Sequence, residues 1–255
     1  MLNVDMNGII QIAREAGNLI MDIYQSDFGI KEKADESPLT AADEASHQWI
    51  FTELTKLYPD IPILSEEGSE IEYSQRKTWP MFWLVDPLDG TKEFIKRNGE
   101  FTVNIALIVE GLPQLGVIYA PALDALYFAE QGKGAYRQLA GGIIEPLKLK
   151  EKKTSPYVLV QSRSHSSEEG EAYLEEVKRI HGDTLLINKG SSLKFCLVAE
   201  GEADAYPRFV PTMEWDTAAG QAIVECAGGK VQTVEGQRLC YNKESLLNPF
   251  FIVST

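Results

Sequence analysis

The stretch Trp83-Leu84-Val85-Asp86-Pro87-Leu88-Asp89-Gly90-Thr91-Lys92-Glu93-Phe94 decides how the rest of the chain is interpreted. It continues an apolar run, Met81 to Val85, that predicts a buried strand. We expect this strand to end at Asp86-Pro87, because proline has no N–H to donate to a neighbouring strand. Asp89-Gly90 then predicts a tight turn, after which Thr91 begins a short helix.

Two carboxylates, Asp86 and Asp89, are therefore expected at the carboxyl end of a strand, where they face the N-terminus of a helix. Carboxylates bind hard cations. Helix N-termini bind phosphate, because their first N–H groups have no partner within the helix. The combination is typical of a site for a metal-bridged phosphate ester.

The composition is that of a globular protein with an acidic surface. The 255 residues allow one large domain or two smaller ones, and no stretch approaches the roughly 20 apolar residues of a membrane-spanning helix. The net charge of -14 excludes a general basic surface for binding nucleic acid polymers. Attraction of a phosphate substrate must then come from bound cations and a few placed Lys or Arg side chains.

The cysteines and the N-terminus indicate the compartment. Cys196, Cys226 and Cys240 are scattered and form no CxxC motif, so neither a disulfide framework nor a zinc site is predicted. The first ten residues lack the basic region of a secretory signal. We expect a cytoplasmic protein, with peripheral attachment to the inner face of the membrane left open.

The order of predicted elements gives an α+β first half and an α/β second half. The first half has helices over residues 5–24 and around Ile50 and Leu54, and strands at 61–65, 81–85, 101–109, 114–120, 125–129 and 135–139. In the second half, strands at 157–161, 184–187, 203–206, 230–234 and 250–253 alternate with helices at 167–180, 191–199 and 216–227. A change of composition at 140–156 predicts two domains, 1–145 and 146–255.

Acidic residues occur at the ends of several predicted elements. They are Glu66, Glu67, Asp86, Asp89 and Asp216. Taken singly, Glu66 and Glu67 are also typical of a solvated surface, and Asp216 of a helix N-cap. If all five converged, repulsion and desolvation would be costly without divalent cations, and all-oxygen ligation favours Mg²⁺ or Mn²⁺ over zinc. The chemistry that follows is metal-assisted phosphate hydrolysis.

Asp86-Pro87-Leu88-Asp89-Gly90-Thr91-x-x-Phe94, the upstream Glu66-Glu67 and Trp215-Asp216-x-Ala218-Ala219-Gly220 together resemble the inositol monophosphatase superfamily. The resemblance extends from Asp43 to Gly220. It implies a layered α-β-α-β-α sugar-phosphatase fold and a lithium-sensitive phosphomonoesterase that uses two or three Mg²⁺ ions.

The resemblance also implies roles for individual residues. The implied metal ligands are Glu66, Asp86, Asp89, Asp216 and the carbonyl of Leu88, with Glu67 as an outer or third-metal ligand. Thr91 and Asp43 are implied to activate the attacking water. A carboxylate behind Thr91 is chemically reasonable, because a hydroxyl alone is a weak base. Asp43 also fits a capping box with Thr40, and both interpretations can hold.

Within the superfamily, the chain most resembles the 3'(2'),5'-bisphosphate nucleotidases of sulfur assimilation. Lys92-Glu93-Phe94, Ser162-Arg163-Ser164-His165, Gly190-Ser191-Ser192-Leu193-Lys194 and Ala203-Asp204-Ala205-Tyr206-Pro207-Arg208 carry that resemblance. The residues agree with it, since a second phosphate needs a second anion site. Ser191 and Lys194 at a helix start provide N–H groups, a hydroxyl and a charge, and Arg208 provides a bidentate grip.

The predicted substrate contacts are Glu66, Leu88, Asp89, Gly90, Thr91, His165, Ser191, Lys194, Arg208 and Asp216. His165 is equally typical of an exposed loop, and Lys194 of a surface lysine. No residue is identified that fixes adenine.

The predicted function is removal of the 3'-phosphate from adenosine 3',5'-bisphosphate, or from its 5'-phosphosulfate analogue. The alternatives are an inositol or sugar monophosphatase of the same fold, and a non-catalytic binder of metal or nucleotide. The predicted partner is a small nucleotide bisphosphate, and the chain is expected to be a monomer or a homodimer.

Overall fold

The computed structural model describes residues 4–25, 30–32, 38–68, 70–149, 156–162 and 167–255. The helices are α1 (Met6–Tyr24), α2 (Ala41–Leu57), α3 (Tyr73–Arg76), α4 (Thr91–Ile95), α5 (Glu168–His181), α6 (Leu193–Glu200) and α7 (Ala218–Ala227), with 3₁₀ turns at Pro121–Leu123 and Glu214–Asp216. None of the helices in these ranges is long and apolar enough to span a bilayer.

The strands of the first half form a hairpin and a large sheet. They are β1 (Ile30–Glu32), β2 (Pro38–Thr40), β3 (Ile63–Ser65), β4 (Met81–Asp89), β5 (Thr102–Val109), β6 (Leu112–Ala120), β7 (Ala125–Glu130), β8 (Gly134–Leu139) and β9 (Glu145–Leu147). β1 pairs with β2, and the other seven form a sheet in chain order. Only the β3–β4 pair of that sheet is parallel.

The second half contributes a five-stranded sheet. Its strands are β10 (Tyr157–Ser162), β11 (Thr184–Lys189), β12 (Ala205–Arg208), β13 (Lys230–Thr233) and β14 (Phe251–Ser254). Their spatial order is β11-β10-β12-β14-β13. The β11–β10 and β10–β12 pairs are parallel, whereas the β12–β14 and β14–β13 pairs are antiparallel. The predicted α+β and α/β halves are thus confirmed.

Five layers stack in the order α-β-α-β-α. Helices α1 and α2 pack on one face of the large sheet, and α7 packs on its other face. The pair α6 and α7 separates the two sheets, and α5 covers the outer face of the five-stranded sheet. This is the layered sugar-phosphatase fold that the sequence resemblance implied.

Burial of the large sheet on both faces explains its nearly continuous apolar strands. Along β5, Val103 and Ile105 contribute to the core under α1 and α2, whereas Ala106 and Ile108 contribute to the core under α6 and α7. Successive side chains point to opposite faces of a strand, so a strand covered on both sides carries no polar alternation.

The expected end of β4 at Asp86-Pro87 was wrong. The strand continues to Asp89, with a change of register after Asp86: Asp86 pairs with Asn104, and Asp89 pairs with Thr102. One extra residue of β4 therefore lies opposite β5, which is a β-bulge. Pro87 is tolerated within the strand because a bulge needs no ladder hydrogen bond from its nitrogen.

The predicted division at residue 145 stays a prediction. The stretch that suggested it contains β9, which pairs with β8 and extends the large sheet as far as Leu147. The next described strand, β10, belongs to the other sheet.

Candidate active site

A cavity of about 320 Å³ opens where strands of both sheets end. It lies beside the bulge of β4, the start of α4, the start of α6 and the 3₁₀ turn that precedes α7. Its lining residues are Glu66, Asp86, Leu88, Asp89, Gly90, Thr91, Lys92, Glu93, Ser162, Ser191, Ser192, Lys194, Phe195, Tyr206, Arg208, Pro211, Thr212, Asp216 and Thr217.

Four carboxylates line this cavity, and together we call them the acidic wall: Glu66, Asp86, Asp89 and Asp216. Asp86 and Asp89 flank the bulge of β4, where the Leu88 N–H donates to Asp86 Oδ1 at 3.1 Å. Glu66 follows β3, and its N–H donates to the Val85 carbonyl at 3.1 Å. Asp216 ends the 3₁₀ turn and accepts the Met213 N–H at 2.9 Å.

Burial and nearby negative charges raise the pKa of Asp86, Asp89 and Asp216. Desolvation is the largest cause of the raised pKa of Asp86, and the charges of Glu66, Asp89 and Asp216 add to it. Desolvation followed by the charges of Asp89 and Glu66 raises the pKa of Asp216 to about 8. Desolvation also raises the pKa of Asp89, although Lys194 and the Ser192 N–H oppose the change.

The donor set of the acidic wall fits a hard divalent cation. All donors are oxygens, from carboxylates and the Leu88 carbonyl, and such sets favour Mg²⁺ or Mn²⁺. Within the described ranges, no three acidic, histidine or cysteine side chains already surround one point as a ligand set. The raised pKa of Asp86 nevertheless shows that the carboxylates interact strongly. The wall therefore offers a metal the right chemistry and charge, although not a preformed ligand geometry.

Thr91 and Asp43 occupy different positions relative to the cavity. Thr91 begins α4 after Gly90, whose positive φ of 91° favours glycine, and its hydroxyl donates to the Leu88 carbonyl at 3.5 Å. Asp43 is buried in the first turn of α2, outside the cavity lining, and its charge contributes to the raised pKa of Asp86. The Ser46 hydroxyl on the same helix donates to the Pro87 carbonyl at 2.8 Å and fixes α2 behind the bulge.

The same cavity is also lined by Ser191, Lys194 and Arg208, which together we call the cationic wall. Lys194 is 5% exposed, donates to the Ser191 carbonyl and lies 5.4 Å from the ring centroid of Tyr206. Burial lowers the pKa of Lys194 to about 8, although Asp89 opposes this change. A buried amine of this kind gains from an anionic ligand that keeps it protonated.

Two polar atoms of the cationic wall have no hydrogen-bond partner in the described part of the chain. They are the hydroxyl oxygen of Ser191 and the Nε of Arg208, and both are buried. Ser191 also has a positive φ of 44°, which is strained for a residue with a side chain. Buried polar groups without partners are costly, so both atoms fit a polar ligand in the cavity.

Among the described site residues that the sequence predicted, Glu67 and Asp43 do not line the cavity. Glu67 lies beyond Glu66 in the turn after β3, where its charge acts on His47. His165 lies outside the described residues. The other predicted residues surround one cavity; their individual roles remain predictions.

Sequence reasoning overlooked Glu93, which is 9% exposed and lines the cavity. An added Cβ on Gly190 would lie 2.7 Å from its Cγ, so the Glu93 side chain packs directly against the segment that leads into α6. Its position two residues after Thr91, in the same short helix, was the available signal.

Comparison with known proteins identifies the family. The model of the inositol monophosphatase family matches residues 2–249. The chain belongs to this family. Members of the inositol monophosphatase family depend on metal ions.

Relatives within the family share close to half of the sequence. The chain is 49% identical over 249 residues to a protein of Salmonella typhimurium named 3'(2'),5'-bisphosphate nucleotidase CysQ, covering 96% of this chain and 98% of that one. It is 48% identical to the protein of the same name from Escherichia coli K12, covering 98% and 99% of the two chains. The crystal structure of CysQ from Bacteroides thetaiotaomicron is 47% identical, with a TM-score of 0.87 over 98% of this chain and 97% of that one.

Proposed function

We propose that this protein is a Mg²⁺-dependent 3'(2'),5'-bisphosphate nucleotidase. It removes the 3'-phosphate of adenosine 3',5'-bisphosphate, or of its 5'-phosphosulfate analogue, by attack of water. The observation that carries the proposal is that one cavity is lined by both the acidic wall and the cationic wall. Similarity to the relatives named 3'(2'),5'-bisphosphate nucleotidase supports the choice of substrate.

The acidic wall supports phosphate hydrolysis. Glu66, Asp86, Asp89, Asp216 and the Leu88 carbonyl would hold two or three Mg²⁺ ions, with Glu67 as an outer ligand. When bound, the ions supply a water of lowered pKa and stabilise the charge of the leaving oxygen. Thr91 and Asp43 orient the attacking water and take its proton, since Thr91 needs a carboxylate behind it to act as a base.

The cationic wall supports a substrate with two phosphates. Ser191, Lys194 and Arg208 line the same cavity as the carboxylates and offer a hydroxyl and two cationic side chains, so they provide contacts for a second anion. Glu66, Leu88, Asp89, Gly90, Thr91 and Asp216 would contact the scissile phosphate directly or through the metal. His165 remains a proposed contact from outside the described residues. Such a substrate is small, which agrees with the lack of a general basic surface at a net charge of -14.

The proposal also covers the compartment, the oligomeric state and lithium sensitivity. The enzyme works in the cytoplasm, as a monomer or a homodimer. Lithium sensitivity is expected from membership of the family.

Steady-state release of phosphate from a panel of substrates tests the proposed function. The panel holds adenosine 3',5'-bisphosphate, adenosine 3'-monophosphate, inositol 1-phosphate and fructose 1,6-bisphosphate, each with and without Mg²⁺. We expect the adenosine bisphosphate to give the highest kcat/KM. Higher kcat/KM for inositol 1-phosphate would favour the monophosphatase alternative, and no turnover of any substrate would favour a binding protein.

A further inference from the structure

A chain of buried polar side chains connects the cationic wall to Asp89. Thr102, Asn104 and Ser192 are 0%, 1% and 2% exposed. The Thr102 and Ser192 hydroxyl oxygens lie 2.7 Å apart, and the Ser192 hydroxyl donates to Asn104 Oδ1 at 2.7 Å. Asn104 Nδ2 completes the chain by donating to Asp89 Oδ2 at 3.5 Å.

The direction of these hydrogen bonds follows from the number of protons. A hydroxyl group has one proton, and that of Ser192 goes to Asn104, so Thr102 must donate to Ser192. The Asn104 amide is oriented by the carboxylate of Asp89, which accepts from an NH₂ group and repels a carbonyl oxygen. The arrangement of all three side chains is thus tied to the position of the Asp89 carboxylate.

Ser192 has a second connection to the same carboxylate through its backbone. The Ser192 N–H donates a hydrogen bond to Asp89, which opposes the rise in the pKa of that group. Asp89 is therefore held by one donor from Ser192 itself and by another, Asn104, that Ser192 orients. A displacement of Ser192 would be transmitted to Asp89 by both routes.

Ser192 is also adjacent to the cationic wall in the chain. It is the N-cap of α6, directly after Ser191 and two residues before Lys194. The segment before it is fixed to the other half of the molecule, because the Gly190 N–H donates to the Glu100 carboxylate at 2.8 Å. An anion bound by Ser191 and Lys194 would therefore act on a helix start whose cap is hydrogen-bonded to Asp89.

We propose that Asn104 and Ser192 are positioning residues that couple the anion subsite at the start of α6 to the orientation of Asp89. Binding of the substrate's second phosphate at Ser191 and Lys194 fixes the cap of α6, and Ser192 and Asn104 then hold the Asp89 carboxylate in its working position. This inference rests on the proposed function.

The chemistry of the connection favours coupling over simple packing. Apolar side chains would join β5 to α6 without the desolvation cost that three buried polar groups carry. A fully hydrogen-bonded buried network specifies one arrangement of its members. Binding energy from a part of the substrate that does not react raises kcat when it orients the reacting centre, so the coupling should be visible in kcat.

Two substrates that differ by one phosphate test the coupling. Adenosine 3',5'-bisphosphate carries the second phosphate, and adenosine 3'-monophosphate lacks it. We expect the wild-type enzyme to have the higher kcat on the bisphosphate. In Ser192→Ala and Asn104→Ala, the ratio of the two kcat values should fall about 10-fold, the lower end of the effect expected when a group supporting a metal ligand is removed. The KM for the bisphosphate should change little.

Two further variants separate the coupling from general damage. Gln221→Ala removes another fully buried, hydrogen-bonded amide, which lies on α7 outside the cavity, and it should leave the kcat ratio unchanged. Lys194→Ala removes the anion contact, so adding Asn104→Ala to it should lower the ratio no further. Ser192→Ala removes one hydroxyl and keeps the backbone N–H, so it remains informative if Asn104→Ala fails to fold.

Three outcomes would overturn the coupling. One is an equal kcat for both substrates in the wild-type enzyme. Another is an equal fall in kcat for both substrates in the variants, and the third is a change confined to thermal stability. Failure of the proposed function looks different, because the wild-type enzyme would then release no phosphate from the bisphosphate while any inositol or sugar phosphatase activity remained.

Discussion

The acidic wall and the cationic wall differ in their origin and in the way burial changes their charge. The acidic wall combines both halves of the chain, because Glu66, Asp86 and Asp89 lie in or follow strands of the large sheet and Asp216 precedes α7. The cationic wall, Ser191, Lys194 and Arg208, comes from the second half alone. Burial raises the pKa of Asp216 to about 8 and lowers the pKa of Lys194 to about 8. Each wall is thus pushed towards its neutral form and needs a different ligand to keep its charge.

Substitutions in the two walls should therefore change different kinetic parameters. The acidic wall holds the groups that would act on the reacting phosphate, so changes there should lower kcat. The cationic wall would hold a phosphate that does not react, so loss of a contact there should raise KM. It should also lower kcat on the bisphosphate as far as Ser192 and Asn104 transmit that contact to Asp89.

Removal of divalent cations should abolish turnover. Without cations, the carboxylates of the acidic wall have no counter-charge, and no activated water forms. Phosphate release from adenosine 3',5'-bisphosphate should fall to the background rate in a chelator and recover when excess Mg²⁺ is added. Phosphate release that persists in the chelator would mean that the acidic wall acts without a divalent metal ion.

Asp43→Asn should lower kcat by about 10²- to 10⁴-fold, the range for loss of a general base. The change keeps the size of the side chain and removes only the charge behind the bulge. Steady-state kinetics with the matched control Glu44→Gln, an exposed acid in the same turn, should show an effect for Asp43 alone. A variant that retained full turnover would remove Asp43 from the proposed pair with Thr91.

Lys194→Ala should raise the KM for adenosine 3',5'-bisphosphate by about 10- to 100-fold, as expected for one charge-assisted contact with phosphate. The KM for adenosine 3'-monophosphate should hardly change, because that substrate lacks the second phosphate. Lys133→Ala, at a side chain that is 63% exposed, provides the control. Equal increases in KM for both substrates would contradict a separate anion subsite.

Metal-free protein should become less stable as the pH rises from about 4 to about 8. The folded-state pKa of Asp216 is about 8 and its unfolded pKa is near 4, so the folded state binds the extra proton in this window. Each retained proton changes the free energy of unfolding by about 1.4 kcal/mol per pH unit, or about 3 °C in Tm.

Thermal unfolding in chelator across this pH range measures the effect. Mg²⁺ should flatten the dependence, because a bound cation stabilises the ionised carboxylates. Asp216→Asn should also reduce the slope in metal-free protein. A slope of the opposite sign would mean that folding does not raise the pKa of Asp216.

Much of the fold and most of the site could be predicted from residue patterns. The alternation of helices and strands after residue 156 located nearly every element of the second half, because each pattern is local. The acids of the β4 stretch were predicted together because turn residues follow an apolar strand. The end of β4 was placed wrongly, because Pro87 stops a regular strand but is tolerated in a bulge. β9 was overlooked because its three residues carry no pattern of their own.

By itself, the sequence determined which residue types stand at the ends of strands and helices, and with them the oxygen-rich chemistry of the acidic wall. Only the tertiary structure decided that these ends meet at one cavity, that Asp43 lies behind the wall and that Glu93 lines the cavity. It also decided that Ser192 and Asn104, 88 positions apart, form a hydrogen bond next to Asp89. The physical reason is the distance along the chain over which each effect acts. Turn preference and hydrophobic period act between neighbours in the chain, whereas burial, pKa and buried hydrogen bonds depend on segments that only packing brings together.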